Sequence, residues 1–78
     1  MLEVVVKGCI GEAEAAAKSR GIVLAGVSRQ HEKFNETTLV VAGGCFASVV
    51  AWYCEPTQGA PYPVGTCLFL HSRAAVEV

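Results

Sequence analysis

The sequence contains no aspartate, and its charges are few and scattered. Charged residues make up 17% of it, against roughly 25% in an average soluble domain. The Lys and Arg residues stand singly at Lys7, Lys18, Arg20, Arg29, Lys33 and Arg73. No basic stripe exists to neutralise a run of phosphates, so nucleic-acid binding is not expected. The glutamates are equally dispersed, and mimicry of a nucleic-acid backbone by a carboxylate array lacks its raw material. Paired ligand spacings are missing too: four cysteines and two histidines contain no C-x-x-C and no H-x-x-x-H. Neither a metal nor a cofactor is expected. "GCIGE" could turn backbone N–H groups toward an anion, but it lacks a P-loop lysine and the three-glycine dinucleotide pattern.

What is present is apolar. Hydrophobic residues form 53% of 78 residues, enough for one domain over 1–78, near the lower limit at which a chain buries a self-sufficient core. Glu3 and Lys7 interrupt the first apolar run, so it does not read as a secretory signal. A cytoplasmic chain is therefore expected, with Cys9, Cys45, Cys54 and Cys67 reduced and acting as small hydrophobes.

The longest uncharged stretch runs from Thr37 to Cys54. It approaches the roughly 20 apolar residues of a membrane helix, but Gly43 and Gly44 divide it into a strand pattern and a helical one. No membrane span is expected.

The chain then reads as six elements. "LEVVVK" is a β-branched run ended by Gly8. "IGEAEAAAKSRG" is a helix with acids first, bases last and Gly21 as its stop; its expected buried stripe is Ile10, Ala13, Ala16 and Ala17. "IVLAGVSR" and "ETTLVVA" read as a hairpin across "QHEKFN", with Asn35 in a left-handed conformation. Helix two is expected over about Cys45 to Cys54, burying Phe46, Val49, Val50 and Tyr53. After the loop "EPTQGAPYPVG", "TCLFLHS" forms the last strand before a short tail. The order β-α-β-β-α-β predicts an α+β, ferredoxin-like sandwich: a four-stranded antiparallel sheet with both helices on one face. An RNA-recognition domain shares this order, but it stacks bases on aromatics of its central strands, and "LEVVV" and "TTLVVA" have none.

Candidate sites follow from that frame. Cys45 at the start of helix two is a candidate thiol nucleophile, since a helix N-terminus lowers a cysteine pKa, but no base is placed beside it by sequence. Glu12 with Glu14, and Glu32 with Glu36, read as solvated charges. Alternation along the strands makes both sheet faces substantially apolar, and two helices cover only one, so the other face is expected to form a homodimer. His31, Phe34, Trp52 and Tyr62 are candidates for binding a protein partner, the aromatics being enriched at hot spots; alternatively Trp52 completes the core under the proline-rich loop.

"AAAKSRGI", "VVAWYCEP" and "APYPVGTCLFL" together resemble short accessory proteins of phages and other mobile elements, including proteins of anti-CRISPR size and integron-cassette products. The resemblance implies a compact cytoplasmic module, not an enzyme, that binds a host or phage protein. The second expectation is an amino-acid-binding regulatory domain of the ACT type, which shares the element order and would use the loop at Gly8 and Gly11 for a small ligand. A thiol enzyme using Cys45 is the third.

Overall fold

The computed structural model describes residues 1–57 and 59–72; the short tail expected after Ser72 lies outside them. Strand β1 (Leu2–Lys7) leads into helix α1 (Ile10–Ser19), strand β2 (Leu24–His31), a 3-10 turn (Glu32–Phe34), strand β3 (Glu36–Val41), helix α2 (Phe46–Tyr53) and strand β4 (Cys67–Ser72). The sheet order is β2-β3-β1-β4 and every neighbouring pair is antiparallel. This is the ferredoxin-like βαββαβ arrangement.

Local chemistry explains the boundaries. Glu12 accepts the Cys9 N–H at 3.0 Å, satisfying a donor that the first turn of α1 leaves unpaired. At the other end Gly21 takes φ 73°; its N–H donates to Lys18 O and that of Ile22 to Ala17 O, the paired bonds of a Schellman stop. Ile22 then enters the core, so β2 begins at Leu24, two residues later than the sequence suggests. Asn35 closes the 3-10 turn at φ 53°, the left-handed conformation expected of it.

The core lies on one side of the sheet. Val4 and Val6 of β1, Leu39 and Val41 of β3 and Cys67 of β4 meet Ala13 and Ala17 of α1 and Val49 and Trp52 of α2. The alanines let α1 sit low on the sheet. Burial pushes the Cys67 thiol up to about 11.

Two expected helix faces are corrected. Ile10 is exposed, leaving Ala13 and Ala17 as the buried stripe of α1 with Ala16 half-buried. In α2, Phe46 is 62% exposed and Tyr53 is also exposed, whereas Val49 and Trp52 are buried. The positions 45, 49 and 52 have helical spacing as good as 46, 49, 50 and 53, so periodicity cannot choose between them. The indole decides: it fills the larger volume, and its N–H reaches Gly65 O at 2.9 Å.

Candidate interaction surfaces

Cross-strand partners share a face of the sheet, so the side away from the helices can be written as three rows across it. Phe69, Val5, Thr38 and Arg29 form the middle row; His71, Glu3, Val40 and Gly26 lie toward one end; Lys7, Glu36 and His31 lie toward the other. A register shift between Leu24 and Gly26 puts Val27 opposite Leu39 on the helix side, and a second between Val27 and Arg29 puts Arg29 on the open face. The expected alternation of apolar residues on both faces of β2 therefore fails. The open face carries a short apolar patch, Val5 and half-exposed Phe69 in the middle row with Val40 diagonal to Val5 in the Glu3 row, among polar residues.

The polar end at Glu3 is a built cluster. Glu3 is only 4% exposed although it faces away from the helices. Its Oε1 lies 2.8 Å from His71 Nε2, and Phe69 stacks on the His71 ring at 5.6 Å between centroids. Sequence reasoning missed this cluster. The only signal was a glutamate inside a β-branched run, and its partner lies 68 residues away. At the opposite end, Lys7 Nζ donates to Phe34 O at 2.6 Å, and among the described residues Glu36 makes no ion pair.

A second surface lies where the β2–β3 turn, the β1–α1 loop and the segment before β4 meet. Gly8 N–H donates to Asn35 O, Gly65 N–H to Lys7 O, and Lys7 N–H to Thr66 O. Here Phe34 is 55% exposed, and the His31 ring meets it edge-on at 6.2 Å. Tyr62 and Val64 are exposed in the preceding loop. The structure thus brings His31 and Phe34 together and leaves Tyr62 exposed, but it removes Trp52 from the expected patch. That indole is 2% exposed and already bonded, because a domain of this size needs its largest side chain inside.

The loop at Gly8 is closely packed. A Cβ on Gly8, whose φ is 129°, would lie 3.1 Å from both Glu12 Cβ and Val64 Cγ1. Gly11 is open, with nothing near the position of its missing Cβ. The Glu12 carboxylate takes the Cys9 N–H that an anionic ligand would use, and that bond holds the carboxyl below its usual range.

Cys45 caps α2 and packs against the core; the Val23 N–H donates to its sulfur at 3.4 Å. Neither histidine is brought to it. His71 faces the open side of the sheet, and His31 ends β2, whereas Val23 precedes the start of that strand.

A cleft of about 210 Å³ opens beside Arg20, Trp52, Glu55 and Cys67. Its charged groups are engaged within the chain. Arg20 donates through Nε and Nη2 to the two Glu55 oxygens, both at 2.8 Å, and through Nη1 to Ala16 O, while its guanidinium lies 4.9 Å from the Trp52 ring centre. Hydrogen bonding to Glu55 raises the pKa of Arg20 and lowers that of Glu55. The arrangement clamps α1 to the segment after α2.

Among the described residues no group of three or more His, Cys or Glu side chains comes together as a metal site, and no helix is long and apolar enough to cross a membrane. No family model, curated protein or solved structure matches the chain.

Proposed function

We propose that the chain is a non-enzymatic, cytoplasmic protein-interaction module that forms a homodimer through its open sheet face and binds a host or phage protein through its loops. The observation that supports this most directly is the uncovered face. Both helices serve the other side, leaving Val5, Val40 and Phe69 as a contiguous apolar centre. A sheet with water on one side normally alternates apolar with polar residues, and an exposed apolar patch inside a polar rim is the usual composition of a protein-binding surface. The resemblance to small mobile-element proteins points the same way. Phe34 and His31, and separately the exposed Tyr62, offer aromatic surface for the second partner.

Self-association is tested by light scattering over a dilution series. A mass of two chains that falls to one only on strong dilution is expected. A single-chain mass at every concentration would reject the dimer and leave the open face without its proposed role.

A further inference from the structure

We infer that the occupant of the open face is a second copy docked about a two-fold axis parallel to the strands, so that Lys7 of each copy meets Glu36 of the other. This rests on the homodimer reading and adds its register. Symmetry and charge select this arrangement. The middle of the sheet lies between β3 and β1. A two-fold along the strands at that line keeps each cross-strand row at its own level and reverses it from side to side. β1 then lies over the second copy's β3, and β4 over its β2.

Two of the three rows gain matched partners under that operation, and the third keeps Glu3 in its own bond to His71. Lys7 lies over Glu36, Val5 over Thr38, Glu3 over Val40, and Phe69 over Arg29. Two Lys7–Glu36 pairs and two Arg29–Phe69 cation–π contacts form, and the apolar centre is buried between them. The protomer leaves these charges available: Lys7 bonds only a backbone carbonyl, and Glu36 has no ion pair among the described residues. Glu3 needs no second copy, since it is buried and bonded to His71. The alternative two-fold, across the strands, places Lys7 over that already engaged carboxylate, leaves Glu36 over Val40 and sets Phe69 on Phe69. It pairs fewer of the charges the face presents. Aligned sheet packing, with mean strand directions about 30° apart, keeps the facing pairs within reach of long side chains.

The test mixes single variants. Lys7→Glu places two acids at each facing pair and Glu36→Lys two bases, so each alone should weaken self-association by roughly tenfold or more. Mixed, they should form a heterodimer about as tight as the wild type, although each chain still carries its own like-charged neighbours within the sheet. Arg29→Glu with Phe69→Lys repeats the logic at two exposed positions where neither side chain supports the core. Lys18→Glu with Glu14→Lys, on exposed positions of α1, carries the same net charges off the face and should show no preference for mixing. One partner is fluorescently labelled and the complexes are followed by energy transfer and light scattering, with circular dichroism to confirm folding. A wild-type monomer would overturn the homodimer and this register together. A wild-type dimer whose folded variants do not recombine in either mixture would overturn the register alone.

Discussion

The helix side and the open side of the sheet are made from alternate residues of the same strands, yet they reach low exposure by different means. On the helix side Val4, Val6 and Leu39 are fully buried against small alanines and the Trp52 indole, with no buried side-chain polar atom left unpaired among the described residues. On the open side the most buried group is a carboxylate, bonded to His71, on whose ring Phe69 stacks. A dry core tolerates shape errors poorly but asks only for volume, whereas the open side depends on a few directional polar contacts.

The largest loss of stability is expected from a substitution on the helix side. Trp52→Ala removes the largest core side chain and is expected to cost about 3–5 kcal/mol, read as a lower urea midpoint; Trp52→Phe should recover most of the packing but not the bond to Gly65. A loss below 1 kcal/mol would mean that the indole is not the keystone of α2.

On the open side, His71→Ala leaves the buried Glu3 without its imidazole partner and should cost about 1–3 kcal/mol. Glu3→Gln in the same background should return part of that loss, because a neutral amide is easier to bury. No recovery would show that charge burial is not the source of the cost.

Cys67 sharpens the contrast through pH. In the folded chain its thiol keeps its proton to about 11, against 9.0 for the ordinary group. The folded pKa is the higher one, so the associated stability is whole below pH 9 and declines as pH rises from 9 toward 11. Cys67→Ala should flatten that decline in a pH series of urea midpoints. In the same protein, a maleimide should label exposed Cys9 and Cys54 well before Cys67.

Phe69→Ser tests the open face without touching the core. Its effect on monomer unfolding should be small, within about 1 kcal/mol, while self-association is lost; loss of folding in step with loss of the dimer would make Phe69 part of the core after all. The smallest effect is at Glu55. Its pKa is lowered by Arg20, so the pair contributes above the ordinary carboxyl value and is lost as pH falls through the depressed one. Glu55→Gln should reduce the acid sensitivity of unfolding slightly, and added salt should mask the difference.

Much of the fold was legible because each element carried its own local signal. β1 is a β-branched run, α1 has dipole-matched charges and a glycine stop, Asn35 marks the turn, and Gly43–Gly44 separates β3 from α2. The sites were less legible. α2 is apolar nearly all round, so its buried face depended on whether Phe46 or Trp52 found the better cavity. The first bulge of β2 turned Val27 to the helix side and the second turned Arg29 to the open face, and nothing in "LAGVSR" announces either. Glu3 and His71 lie at opposite ends of the chain, and each is unremarkable in its own segment.

By itself the sequence determined the number and order of the strands and α-helices, because capping, turn geometry and hydrophobic period act over a few residues. Only the tertiary structure decided which side of α2 faces inward, that Trp52 is core and not surface, and that a buried carboxylate with a stacked histidine and phenylalanine organises one end of the open face. Those outcomes depend on volume, acceptor position and strand register between segments distant in the chain, quantities that no local window contains.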